Sequence, residues 1–219
     1  MNFSPDSKFY ALCGRLVALC KINLLWIACS LPVFTLGAST CAMLACLSEM
    51  NKDGEAHAGT FFRAFRQHFR RATILWLLML LLGAMLAVDY CLVANMQFAG
   101  RMAVIAVICF CFFLLLLASG IIFPLLVRFP AASIKDTVVN AVLLAIANLP
   151  KMLLITAMNL LPALLLIVWP RIFFFLSFLL PICGFSLIAL YDLNIADKIF
   201  SKLMPQEEKQ DEQDGIATL

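Results

Sequence analysis

Charge is scarce in this chain. Asp, Glu, Lys and Arg make up 13% of its 219 residues, against roughly a quarter in soluble domains, and that shortage excludes an ordinary water-soluble globule. Histidine is scarcer still. His57 and His68 are the only two, both in one basic stretch, so no Ser/His pair can form inside an apolar segment. HExxH, GxSxG and GxxxxGK[ST] are all missing, which removes the usual metal, acyl-transfer and nucleotide sites. The nine Cys, at 13, 20, 29, 41, 46, 91, 109, 111 and 183, form no CxxC. A zinc site or a disulfide framework needs other spacings, and a free Cys within an apolar run packs as a small hydrophobe. An aspartyl protease needs two facing carboxylates, yet Asp89 has no evident partner within a span and Asp192 falls at the inner end of one. The residues point away from an enzyme: no catalytic residue, no cofactor and no metal ligand is expected.

What is abundant is apolar length. Hydrophobic residues make up 64% of the chain, and several uncharged runs reach the ~20 residues that cross a bilayer core. There is room for about five or six such spans with short connections, and for no sizeable soluble domain. The expected fold is all-α, a polytopic transmembrane helix bundle with the lipid bilayer as its solvent. The net charge of +3 does not speak for nucleic acid, because the distribution of Lys and Arg among the loops is what matters. Lys8, Arg15 and Lys21 before an apolar run, with Ala28-Cys29 inside it, imitate a cleavable signal. Leu25-Trp26-Ile27 suits cleavage poorly and the run continues, so an uncleaved first span is expected.

Segment 12–31 fits one span. Pro32 pushes Leu31 out of the α region, residues 33–37 read as a turn or unwound stretch, and Ser39 and Thr40 can cap a second piece over 36–48. One long kinked helix and a helical hairpin both accommodate this, and charge arbitrates. Lys52, Arg63, Arg66, Arg70 and Arg71 form the densest basic cluster, which belongs in the cytoplasm. A hairpin or re-entrant pair keeps Lys8 and Arg15 on that same side and is favoured. Backbone freed at the break must then be satisfied by protein or water. Further on, Phe62, Phe65 and Phe69 recur at helical spacing, as do Arg63, Arg66 and Arg70. That pattern predicts an interfacial amphipathic helix whose Arg63, Arg66, Arg70 and Arg71 meet anionic lipid headgroups.

Segment 74–96 then runs outward, Arg101 interrupts, and 102–127 returns to Arg128 and Lys135. Residues 133–148 alternate Lys135, Asp136, Asn140 and Asn148 with Ile134, Val138, Val142 and Ile146, which predicts a helix lying on the bundle or the inner surface. Segment 152–169 crosses outward to Trp169-Pro170-Arg171, an outer-interface turn, and 172–191 returns to Lys198 and Lys202. Only Arg101 and Arg171 face outward in this layout of five to six segments, so both chain ends lie inside. Residues 1–204 form the transmembrane domain. The acidic tail, 205–219, has no apolar periodicity and reads as disordered. Leu31-Pro32…Gly37 and Leu180-Pro181…Gly184 echo one another as Pro-then-Gly breaks, a pattern that transporters use in pairs, but in a Leu-rich chain two short matches carry little weight.

Few residues invite a functional role. Asp89 is the one acid well inside a span, and an intramembrane ionisable group is by default a functional candidate; its outer-half position also lets water or a neighbouring helix satisfy it. Asn95, Asn140, Asn148 and Asn159 either line a pathway or bond across helices. Pro32, Thr35 and Gly37 mark the break, where a half-helix N-terminus could meet an anionic or hydroxylated ligand, although capping accounts for the hydroxyls equally.

The segments Asn23-Leu24-Leu25-Trp26, Leu31-Pro32-Val33-Phe34-Thr35-Leu36-Gly37 and Ala42-Met43 resemble the opening of the YesL family of bacterial membrane proteins. Residues 61–66, Phe69-Arg70 and 72–76 resemble that family's basic aromatic segment, and 184–187 with Ile199-Phe200 its ending. His68 stands where the family carries Asn. The resemblance implies a bacterial membrane protein, and with the charge distribution, which puts the basic loop 51–72 and the C-terminus in the cytoplasm, the expected location is the plasma membrane. The resemblance implies no established activity. It suggests an accessory or regulatory role in carbohydrate uptake and utilisation, with a sugar-uptake transporter as partner. The alternative is a small transporter or channel using the broken helix at Pro32–Gly37. The solute and the oligomeric state stay open.

Overall fold

The computed structural model describes residues 8–53, 57–171, 174 and 180–203. They form seven α-helices and, among the described residues, no strand: α1 (Lys8–Ser30), α2 (Leu36–Asp53), α3 (Ala58–Asn95), α4 (Arg101–Arg128), α5 (Ile134–Ala147), α6 (Leu149–Val168) and α7 (Phe185–Leu203). A 3-10 turn at Val33–Thr35 joins α1 to α2, and a π-helical turn at Leu180–Gly184 leads into α7. Five helices (α1, α2, α3, α4 and α6) are long and apolar enough to cross a membrane. The acidic tail and most of 172–179 lie outside the described residues, so segment 172–191 is seen only from its π-turn onward.

Helix α2 is the centre of the bundle. Ala38, Ser39, Cys41, Ala42, Met43, Leu44, Cys46, Leu47 and Met50 are all buried, on every side, which is the signature of a helix enclosed by others. It packs against α1, α3, α4 and α7. Small side chains allow this, because they let neighbouring backbones approach. At Gly37 an added Cβ would meet the Ala72 carbonyl oxygen at 2.5 Å and the Trp76 Cβ at 2.8 Å.

The α1–α2 break makes a hairpin, as the charges favoured. Trp26 Nε1 donates to Thr40 Oγ1 at 3.2 Å, Ser30 and Ser39 hydroxyls are 2.6 Å apart, and Lys21, Ile22, Leu24 and Leu25 share a cleft with Cys46 and Phe61. The backbone that the break frees is tied up by protein. The Thr35 hydroxyl lies 2.6 Å from the carbonyl oxygens of both Cys29 and Pro32, and Trp76 Nε1 donates to Val33 O at 2.8 Å. That last bond also measures the hairpin's depth. α3 has 38 residues, about 57 Å at 1.5 Å per residue, far more than the ~30 Å hydrocarbon core. The hairpin tip is level with Trp76, about 28 Å short of the far end of α3 by the same rise. Residues 12–31 and 36–48 therefore form a hairpin that packs beside the first half of α3.

The basic segment is not a separate interfacial helix. Nothing between Thr60 and Leu82 breaks a helix, and the segment continues without interruption into the apolar part of α3. Its buried stripe is Phe61, Ala64, His68, Ala72 and Leu75, while Phe62 and Phe69 are exposed alongside Arg63, Arg66 and Arg70. Facing α2 selects the smaller Ala64 and Ala72 over the more frequent phenylalanines.

Burial is one-sided. No residue of α3 beyond Leu75 and none of α4 before Leu117 is buried. The two helices run antiparallel, with Gly83 against Leu115, and turn at Gly100, whose φ of 95° lies in the left-handed region that glycine adopts without strain. α5 starts on a built cap, Ser133 Oγ accepting from Asp136 N at 3.2 Å, and lays Thr137, Ala141 and Ala145 into the bundle, the surface-lying helix that 133–148 predicted. At the entry to α7, Asn23 substitutes for missing helix bonds: its Nδ2 donates to Pro181 O and its Oδ1 accepts from Ser186 N at 3.0 Å. The second Pro/Gly break thus packs on the middle of α1.

Gly37→Leu is expected to lose about 1–3 kcal/mol to overpacking, read as a lower thermal unfolding midpoint in detergent. Gly83→Ala, whose Cβ would sit 3.7 Å from Leu115, should stay within about 0.5 kcal/mol. Equal losses would contradict the close approach of α2 to α3.

Candidate functional site

The break residues Pro32, Thr35 and Gly37 are placed in packing and backbone satisfaction. Thr35 is buried with its hydroxyl held by Cys29 and Pro32 carbonyls, and Gly37 is pressed on α3. Asp89 is exposed in the far half of α3. Beside it a cleft of about 340 Å³ lies between α3 and α4, lined by Leu86, Ala87, Tyr90, Cys91, Ile108, Cys109 and Phe112, and Asp89 is not in that lining. The structure brings Asp89 to none of the break residues.

The four arginines divide. Arg63 makes one exposed ion pair with Glu49 at 3.9 Å, a contact of little energetic weight. Arg66 and Arg70 are exposed. Arg71 does something more specific: its Nη1 donates to Pro130 O and, at 3.2 Å, to Ala132 O, clipping the α4–α5 turn to α3.

The polar groups converge elsewhere, on a cavity of about 310 Å³ in the middle of the packed half. Six helices contribute to it: Trp26 from α1, Thr40, Met43 and Leu44 from α2, Trp76 and Met79 from α3, Ser119, Gly120, Phe123 and Pro124 from α4, Asn159 and Pro162 from α6, and Phe185, Ile188, Ala189 and Asp192 from α7. Asp192 is 7% exposed. Asn159 Nδ2 donates to its Oδ2 at 2.6 Å, whereas its Oδ1 is buried with no hydrogen-bond partner among the described residues. Among the described residues no Lys or Arg lines the cavity. A carboxylate so placed is costly unless something compensates it, and each unpartnered buried group calls for an explanation.

Sequence reasoning placed Asp192 just past the last span and so passed over it. A signal was present. Ala189, Asp192, Leu193, Ala196, Ile199 and Phe200 are all buried, spaced as the inward stripe of one helix, and an acid within such a stripe marks a site. Asn159 was among the asparagines picked out, and its bond to Asp192 joins α6 to α7. Towards the basic end, Asn51 Nδ2 donates to Asn194 Oδ1 at 3.2 Å and Lys151 Nζ to Lys198 O at 3.5 Å. Burial there pushes the Asp197 carboxyl up, against the opposing pull of Arg128 and Lys52.

Comparison with known proteins adds little chemistry. Residues 19–90 match a family described as "Protein of unknown function, DUF624", the family that includes YesL. The matched stretch covers most of α1, the break, all of α2 and nearly all of α3. No curated protein and no solved structure matches the chain.

Asn159→Leu leaves both carboxylate oxygens of Asp192 without a donor and is expected to cost about 1–3 kcal/mol. Asp192→Asn removes the uncompensated charge and should leave the unfolding midpoint unchanged or raised. Thermal unfolding in detergent checks the order, and a larger loss for Asp192→Asn would contradict it.

Proposed function

We propose that this protein is an accessory or regulatory component of a bacterial plasma membrane, linked to carbohydrate uptake and utilisation, and that it works through contacts with a sugar-uptake transporter and not as an enzyme. The sugar link is supported by the YesL resemblance at residues 23–37, 61–76 and 184–200, while the family that residues 19–90 match is described only as of unknown function. The observation that carries the accessory role is the one-sided packing. The hairpin is anchored beside the basic half of α3 with its freed carbonyls bonded, so the break offers no lining for a path across. The far halves of α3 and α4 carry exposed Leu81, Met85, Val88, Leu92, Val107 and Phe110, faces suited to another protein's helices as much as to lipid.

The orientation that goes with this role puts the basic end in the cytoplasm. Arg71 holds the α4–α5 turn, and Lys151 reaches α7 near its end, so Lys52, Arg63, Arg66, Arg70, Arg71, Arg128, Lys151 and Lys198 gather at one end, as cytoplasmic surfaces do. Exposed Arg63, Arg66 and Arg70 are the groups available there to anionic lipid headgroups.

A second reading, a small transporter, is favoured by the cavity around Asp192, since it is built from six helices and a carboxylate. The two readings separate in two measurements. Tagged protein purified from native membranes of cells growing on the relevant sugar should bring down a sugar-uptake permease in fixed ratio, and purified protein in liposomes should pass none of a broad sugar panel. Flux that Asp192→Asn abolishes, with no permease retained, would replace the accessory role by transport.

A further inference from the structure

We propose that the cavity around Asp192 binds a small organic ammonium ion, a ligand that goes beyond the accessory role and does not depend on it. The wall chemistry selects the class. The cavity's one charged group is Asp192, 7% exposed, with Oδ1 buried and unpartnered among the described residues while Oδ2 takes its single bond from Asn159 at 2.6 Å. With a neutral solute the buried Asp192 carboxyl would relieve its desolvation by taking up a proton, whereas a bound cation lets it stay ionised. A cation removes the cost.

The rest of the lining tells what kind of cation. Trp26, Trp76, Phe123 and Phe185 all face the cavity, and both indole N–H groups are committed elsewhere, Trp26 to Thr40 and Trp76 to Val33. The rings pair with one another, Trp26 with Phe185 at 4.9 Å and Trp76 with Phe123 at 6.5 Å between centroids, and the π surface outside those pairs is what they offer an ammonium, most strongly where water is excluded. Pro124 adds to the negative character: a proline in α4 removes the donor that would otherwise satisfy the Gly120 carbonyl four residues back, and Gly120 lines the same wall. A bare metal ion fits poorly, because its preferred shell of about six oxygens is not met by walls dominated by aromatic and aliphatic side chains. A volume of about 310 Å³ admits an ammonium carrying a few carbon atoms.

The test uses the full-length protein in nanodiscs of zwitterionic lipid, titrated with tetramethylammonium chloride at constant ionic strength against sodium chloride. Trp26 and Trp76 report from the cavity, and Trp169, past the end of α6, is replaced by Phe to remove its background. A saturable fluorescence change with tetramethylammonium and none with sodium is expected. Asp192→Asn should weaken binding at least tenfold, and Asp192→Glu, which keeps the charge, should stay within a few-fold of the parent. Equal binding by Asp192→Asn and the parent, no saturable change with tetramethylammonium, or saturation by glucose in its place would each overturn the proposal. Permease co-purification plays no part in this measurement, so its failure and the failure of the accessory role are distinguishable.

Discussion

At Gly37 the backbone of α2 runs so close to α3 that a single added carbon would meet the Ala72 carbonyl oxygen at 2.5 Å, and the bundle takes its spacing from that approach. A thin α2 can be surrounded. Because it is surrounded, the hairpin it forms with α1 is drawn against the basic half of α3 and its tip is fixed by the Trp76 bond to Val33 O. α4 and α7 then close on the other sides of α2, and the gap left among them is the cavity that holds Asp192. Substituting larger side chains along α2 would therefore act on the fold and on the cavity together.

Much of this architecture was legible in the residues, and the exceptions share a cause. Apolar length identified the helices, and Lys and Arg placement favoured the hairpin over one kinked helix, because both signals depend only on the solvent surrounding the chain. Depth was not legible. Hydropathy treats Cys13–Ser30 and the apolar tip of the far α3–α4 pair alike, although one is packed beside the charged stem of α3 and the other stands alone. The inward face of residues 58–76 was not legible for a related reason: the aromatic spacing draws notice to Phe62, Phe65 and Phe69, whereas a close helix–helix contact selects Phe61, Ala64 and His68.

The site shows the same division. Pro32, Thr35 and Gly37 attract notice as a break, and a break in lipid must be repaired. Here protein groups supply repair, with Thr35 bonding the Cys29 and Pro32 carbonyls and Trp76 that of Val33, so the break serves the fold. Asp89 is conspicuous in the sequence because its neighbours are apolar, yet it sits on an exposed face. Asp192 is inconspicuous because polar residues follow it, yet the helix face it occupies is buried. Which of two acids matters in a membrane bundle is set by helix rotation and neighbour packing, and only three-dimensional contacts such as Asn159 to Asp192 reveal it. The second break of the Pro/Gly echo is likewise served by protein, through Asn23, which bonds across from α1 to Pro181 and Ser186.

The central claim is that the α1–α2 hairpin stops part-way along α3, held by Trp76. The most direct measurement is the distance between spin labels carried by unnatural amino acids at Leu31, on the hairpin tip, and Met96, at the far end of α3, in lipid nanodiscs. The account predicts a separation on the order of 30 Å, from the rise per residue of α3 beyond Trp76. A separation below about 15 Å, as a hairpin reaching the far end of α3 would give on the same geometry, would contradict it.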